Sequence, residues 1–312
     1  MKPRVVDPRL SPREWVARRI FVGLMMGACG LSGFFTPTEA SAWSVVDDRG
    51  VKVEVTRPVQ RIVTLTPSLT ETVCALGGCD RLVATDRFSQ WPAQVRALPK
   101  VGGLEDTSVE HIVALRPQVV LVASSTRVID RLESVGLKVI ALEPRTLGEV
   151  QRVLDKVGDL LDRPQASLRV WLDLQAQIDD AARQVPQSAR GQRAYFEVAS
   201  TPHAASQASF VGELMSRLGL LNIVPAAWGP FPALNAEWVV RSQPDWVMGS
   251  WADVRGMHAR PGWSTLPAFK HQHTCGFTEA QMDTLMRAGP RLGEGAQWLA
   301  RCMASQVAGK AP

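Results

Sequence analysis

Short runs of consecutive apolar residues recur along the chain, each closed by a proline, a glycine or a capping residue. Arg61-Ile62-Val63-Thr64-Leu65 reads as a buried strand that Thr66-Pro67 breaks. Ser68-Leu69-Thr70-Glu71 has the spacing of a capping box, which predicts a helix to Leu76 that Gly77-Gly78 ends. Leu82 to Thr85, Val119 to Val122 and Val139 to Leu142 read as further strands. Strands alternating with helices predict a parallel α/β sheet in this first part of the chain.

From residue 147 to 185 the period changes to that of a helix. Val150, Val153, Leu154, Val157, Leu160 and Leu161 recur at helical spacing. Pro164 suits the first turn of a second helix. That helix carries Leu168, Trp171, Leu172, Leu174 and Ile178 and ends near Val185, before Pro186. Ala194 to Val198, Trp246 to Ser250 and Cys275 to Phe277 then read as strands of a second α/β part. Thr278 to Gln281 predicts another capping box.

One motif occurs twice. Residues 108–122 and 235–249 each hold a capping residue, a glutamate two positions later, a short apolar stretch, a proline and a strand. Ser108 and Asn235 suit an N-cap, and a glutamate in the first turn is favoured by the helix dipole. Helix stabilisation alone would explain either glutamate. Their repetition, Glu110 before Pro117 and Glu237 before Pro244 at equal spacing, points to two similar lobes with one carboxylate each. The resulting division is a leader over 1–42, an N-terminal α/β lobe over 43–163, an interdomain helix over 164–186 and a C-terminal α/β lobe over 187–312.

The leader reading rests on a basic stretch from Met1 to Arg19, an apolar stretch from Ile20 to Phe35 and the small residues Ala40-Ser41-Ala42. The apolar stretch is shorter than the roughly 20 residues of a spanning helix. Cleavage would leave Trp43 first. Arg18-Arg19-Ile20-Phe21 allows a twin-arginine route beside the general secretory one. Met26-Gly27-Ala28-Cys29 resembles a lipoprotein box but ranks below the later site. A periplasmic location is the expectation.

The formal charge of +5 falls to +2 without the leader, with 29 basic and 27 acidic residues left. No nucleic-acid footprint survives that correction. Four cysteines remain, and in an exported chain an even number permits disulfides. Cys74–Cys79 and Cys275–Cys302 are the expected pairs because each is local to one lobe; four buried thiols are the alternative. The five histidines fall in no metal-ligand spacing, and His271 with His273 reads as surface. Ser68 lacks the surroundings of a nucleophile, and no phosphate-binding glycine pattern is present. Nothing here supports an enzyme, and no metal or cofactor is expected.

Residues Arg61 to Glu71, Val101-Gly102-Gly103 and the segment from Glu110 to Pro117 together resemble the helical-backbone periplasmic binding proteins of ABC importers. The resemblance covers roughly residues 59–302. It implies two three-layer α/β lobes with parallel-type sheets, joined by one long helix, with ligand in the cleft between them. It also implies a monomer whose Glu110 and Glu237 dock on arginines of a dimeric permease.

Within the family the likeness is greatest to the corrinoid-binding members. On that likeness Asp283 and Arg287 contact the ligand, and Phe88, Trp91, Phe231 and Trp251 supply aromatic surface. Leu104 stands where those members have a tryptophan, and Ser124 stands near another lost aromatic. Trp228 and Trp251 are the expected compensation from the second lobe. Aromatic side chains in loops after parallel strands suit a large macrocycle, although lobe-edge packing would place them there equally well. A corrinoid, cobalamin or a precursor, is the expected ligand. Haem would need an axial Tyr, His or Met, such as Tyr195, His203 or His258. An anionic ferric siderophore would need several cleft cations, for which Arg287 and Arg127 are available. An exported metal-handling protein or enzyme on the same scaffold is the remaining alternative.

Overall fold

The computed structural model describes residues 41–200 and 202–309. The described residues open with a hairpin that the sequence pattern had not suggested, β1 (Ser41–Val46) antiparallel to β2 (Lys52–Arg57). Its alternation is plain in retrospect: Val45 and Val55 are buried while Val46 and Glu54 are exposed. The predicted leader lies outside the described residues except for Ser41 and Ala42, which begin β1.

The first sheet is built from β3 (Ile62–Thr64), α1 (Pro67–Ala75), β4 (Leu82–Thr85), α2 (Val109–Ala114), β5 (Val119–Val122), α3 (Ile129–Ser134) and β6 (Val139–Ala141). Its strands run parallel in the order β4-β3-β5-β6. Every strand residue but Val83 is buried, as expected when helices cover both faces. Ile62, Val119, Leu121 and Ile140 face one core, which includes Leu69 and Val73 of α1. Val63, Val120, Val122 and Val139 face another, with Ile112 of α2 and Leu132 of α3. Two cores on one sheet make this half three-layered.

Two helices follow, α4 (Leu147–Leu160) and α5 (Pro164–Gln184). Pro164 occupies the first turn of α5, as its fixed φ favours. The second half then comprises β7 (Arg193–Ala199), β8 (His203–Ala204), α6 (Phe210–Arg217), β9 (Leu221–Asn222), α7 (Ala236–Ser242), β10 (Trp246–Ser250), α8 (Trp251–Met257), α9 (Pro267–Lys270), β11 (Thr274–Phe277), α10 (Glu279–Leu285) and α11 (Leu292–Val307). Its sheet runs β11-β10-β7; β9 is parallel to β7 and the short β8 antiparallel. Leu174, Ile178 and Ala181 line the buried stripe of α5, which packs against α4 on one side and α11 on the other. At Gly293 of α11 a Cβ would lie 2.7 Å from the Gln177 Cβ of α5, so a larger residue there would push the two helices apart. One continuous core thus reaches from the first sheet to the second through these helices.

The sequence repeat is a repeat in space. α2 with β5, and α7 with β10, each place a new strand beside the first strand of its half, β3 or β7. The residue before each proline is left-handed, Arg116 at φ 48° and Gln243 at φ 45°. The residue after each proline donates its N–H to the start of the first strand: Gln118 to the Arg61 carbonyl at 2.8 Å and Asp245 to the Arg193 carbonyl at 2.7 Å. The side chains of Gln118 and Asp245 accept in return, from Arg61 N–H at 3.0 Å and Arg193 N–H at 2.8 Å.

Both expected cysteine pairs are bonded, Cys74–Cys79 and Cys275–Cys302. Thr278 and Gln281 form the expected reciprocal capping box. The capping box expected at Ser68 and Glu71 does not form. The N-cap is Thr66 and Pro67 opens the helix, so Ser68 already lies inside the first turn. Glu71 therefore sits too far along α1 to reach back, and its side chain is buried instead.

Candidate ligand cleft

The carboxyl ends of β3 and β4, and of β10 and β11, feed loops that face one another across α10. Two adjoining hollows result. The first, of about 550 Å³, takes Leu65, Asp86, Phe88 and Leu104 from the first half and Arg287 from the second. The other, of about 480 Å³, takes Val198, Trp251, Arg255, Phe277 and Met282. Glu279, Asp283 and Met286 line both, so α10 and the residue after it form a ridge shared by the two. Each hollow lies within the roughly 300–1,000 Å³ typical of small-molecule sites.

The loop bearing Phe88 is held from below. The Asp86 carboxylate accepts the Phe88 N–H at 2.8 Å and the Ser89 hydroxyl. Burial raises the Asp86 pKa above the ordinary carboxylate value, against the opposing effect of those donors and of Lys100. Lys100 Nζ ties the loop further, donating to the Ser89 carbonyl at 2.8 Å and the Thr85 hydroxyl at 2.8 Å. Phe88 itself stays half exposed over the hollow. On the other side, Ser250 caps α8 through the Asp253 N–H and so fixes the turn that carries Trp251. The Trp251 ring lies against β11. A Cβ at Gly276 would come within 2.5 Å of it, so a glycine is required for that placement.

Arg287 joins the two sides. Its Nη1 donates to Glu71 Oε1 at 2.9 Å and its Nη2 to Asp283 Oδ2 at 2.7 Å, with a longer contact of 3.4 Å to the Phe88 carbonyl. Arg291 lies 3.7 Å from the same Glu71 oxygen, pairs with Glu294 at 2.8 Å, and covers the Trp91 ring at 4.8 Å. Burial raises the Glu71 pKa, and the two guanidiniums oppose that shift.

The sequence profile described as "Periplasmic binding protein" matches residues 62–278, more than two thirds of the chain. The chain belongs to the periplasmic binding protein family. The vitamin B12-binding protein of Vibrio vulnificus (strain YJ016) is 25% identical to it over 240 residues, covering 75% of this chain and 86% of that protein. An uncharacterised ABC transporter substrate-binding lipoprotein of Bacillus subtilis (strain 168), YvrC, is 23% identical over 303 residues, covering 90% and 95%. Among solved structures, the periplasmic heme-binding protein RhuT from Roseiflexus sp. RS-1 superposes with a TM-score of 0.66 at 23% identity, covering 80% of this chain and 99% of that one. This periplasmic binding protein is thus a solute-binding protein acting outside the cytoplasm; the family binds for transport and does not catalyse.

The structure distributes the expected site residues of this binding protein unevenly. Phe88, Trp251, Asp283 and Arg287 line the hollows. Trp91 lines neither and lies beneath Arg291. Phe231 lines neither and packs edge-on against Phe210 at 5.7 Å. Trp228 packs against Trp238 at 4.8 Å rather than entering either hollow. Leu104, at the position of a lost aromatic, does face the cleft. Glu71, Asp86, Arg255, Glu279, Met282 and Met286 were missed; of these, Met286 carried a signal, lying between Asp283 and Arg287 in the sequence.

Of the axial groups considered for haem, Tyr195 is fully buried and donates to Glu197 at 2.8 Å. Arg260 clamps the same carboxylate at 2.6 and 2.8 Å. His203 lies in β8, and exposed His258 ends α8 and meets the Arg255 carbonyl at 3.0 Å; neither lines a hollow. His273 stacks on Trp246 at 4.4 Å and Arg127 pairs with Glu105, both away from the hollows. Glu110 and Glu237 are exposed in the first turns of α2 and α7, one in each half.

Proposed function

We propose that this protein binds a corrinoid, cobalamin or a close precursor, between its two halves and delivers it to an ABC importer. The charge balance of the cleft carries the reading. Three carboxylates (Asp86, Glu279, Asp283) face three guanidiniums (Arg87, Arg255, Arg287) around the apolar surface of Phe88, Leu104, Trp251 and Phe277. Two of those arginines are already paired, Arg87 with Asp106 and Arg287 with Glu71. Such a lining suits a large, nearly neutral ligand whose rim of carboxamides both donates and accepts hydrogen bonds. It suits a polyanionic ferric siderophore poorly. The relative named for vitamin B12 binding supports the same choice.

Haem is the second reading, favoured by one observation. Met282 and Met286 line the cleft, and a thioether is an established haem ligand. The structural likeness to a heme-binding protein is compatible with it. Calorimetry of the purified mature protein against cyanocobalamin, dicyanocobinamide and haemin decides. Stoichiometric binding of either corrinoid is the expected result. Binding of haemin alone, weakened by Met286→Ala, would replace the corrinoid by haem.

Docking on the permease is assigned to Glu110 and Glu237, supported by their exposure at matched positions of the repeated unit. The ABC transporter designation of the Bacillus relative supports an importer as partner. Export through a leader ending at Ala42, by the general secretory or the twin-arginine route, completes the proposal; N-terminal sequencing of the periplasmic protein tests it, with Trp43 expected first.

A further inference from the structure

We infer that Glu71 is the positioning residue of the cleft: one carboxylate from α1 sets Arg287 and Arg291, and through them the Phe88 and Trp91 loop, for the ligand. The inference deepens the reading of the cleft as a ligand site and rests on it. The residues expected at the ligand from sequence form two groups, Phe88 and Trp91 in the loop after β4, and Asp283 and Arg287 in and just after α10. Arg287 and Arg291 link both groups to this carboxylate. Glu71 Oε1 receives Arg287 at 2.9 Å, and Arg287 in turn reaches Asp283 and the Phe88 carbonyl. Arg291, 3.7 Å from the same oxygen, lies over Trp91.

The contact is between parts of the chain 216 residues apart and crosses from the first half to the second. Arg287 and Asp283, so held, present a donor beside an acceptor at the edge of the first hollow, the pair that one carboxamide needs.

Fold stability alone accounts poorly for this carboxylate. Glu71 is 1% exposed, and its Oε2 is buried with no hydrogen-bond partner among the described residues. A half-satisfied buried carboxylate is costly, and a buried ion pair is often no better for stability than an apolar replacement. Asp283 is half exposed and lines both hollows, so the network ends at the ligand surface rather than in the core.

The test is a double-mutant cycle on cyanocobalamin affinity with Glu71→Gln, close in shape, and Arg287→Ala. A positioning role predicts that Glu71→Gln weakens binding at least about tenfold, as for a lost hydrogen bond to a charged group. It also predicts little further loss when Arg287→Ala is already present, because the two act as one unit. Unchanged affinity in Glu71→Gln, or losses that simply add, would overturn the inference. So would a fall in thermal midpoint with affinity intact, which would leave Glu71 to the fold. If the wild type binds haemin rather than cyanocobalamin, the cycle is run with haemin. If it binds neither, the ligand reading fails, and Glu71 is judged on the crystal structure of the ligand-free Glu71→Gln protein. There Arg287 should have left the Phe88 carbonyl; an unmoved Arg287 would refute the inference.

Discussion

Asp48 stands in the turn between β1 and β2 and ties that hairpin to the first sheet. It accepts from Arg152 and, at 3.2 Å, from Lys156 on α4, and from the Glu143 N–H at 2.8 Å. Burial works to raise its pKa, but these donors outweigh burial and the net shift is downward from 3.8. A carboxylate with a lowered folded pKa stabilises the fold above its unfolded value and loses that contribution as pH falls through the folded one. Asp48→Asn should therefore cost about 1.5–3 kcal/mol at neutral pH, the range for hydrogen bonds to charged groups. The gap to wild type should close below about pH 4; denaturant titrations across pH 3–7 check this. Glu71 and Asp86 show the reverse sign, raised by burial, so their ionised forms are strained in the fold and held by Arg287 and by Ser89.

At the scale of elements, the repeated helix–turn–strand unit carries the argument. α2 and α7 are too short to be stable alone. Each is fixed by its cap, Ser108 receiving the His111 N–H and Asn235 the Glu237 N–H, and by the strand that follows. The two glutamates are not equivalent in detail. Glu110 meets Arg131 at 3.1 Å across exposed side chains, a pair worth little on its own. The double replacement Glu110→Ala, Glu237→Ala should impair uptake by the intact importer while ligand affinity in solution stays at the wild-type value. Uptake assays and calorimetry on the same variant separate the outcomes: normal uptake removes the docking assignment, and lost affinity moves these residues to the fold or the cleft. How each unit joins its sheet was legible as a pattern, because proline after a helix and an apolar run must give a turn and a buried strand. The pairing of Gln118 with Arg61 and of Asp245 with Arg193 was not, since it depends on which strand lies alongside.

For the whole molecule, the single continuous α5 and the core that runs past it into both halves limit how the cleft can change. A helix resists bending where a pair of extended strands does not. The Glu71–Arg287 bridge adds a second tie on the cleft side. Ligand should therefore produce little compaction. Small-angle scattering should give a radius of gyration of about 18–20 Å, as for a compact chain of this length. Its change on saturation should stay near 1 Å or below, roughly the scale for pre-organised binding; a contraction of several ångströms would show a hinge that α5 does not provide.

The sequence by itself determined the alternation of buried strands and helices, the long helix opened by Pro164, the twofold unit with its glutamates, the Thr278 cap and the closeness of Cys74 to Cys79. Each of these is decided within a few residues or by a period, so local propensity and hydrophobic spacing suffice. The tertiary structure alone decided which way Glu71 turns. Ser68-Leu69-Thr70-Glu71 is compatible with a capping box, but Pro67 starts the helix two residues earlier and Arg287 lies across the cleft to receive the carboxylate. It likewise decided that Trp91 supports Arg291, that Phe231 packs on Phe210, and that Gly276 makes room for Trp251. These contacts join segments far apart in the chain, and their energies depend on distance and burial, which no local pattern encodes.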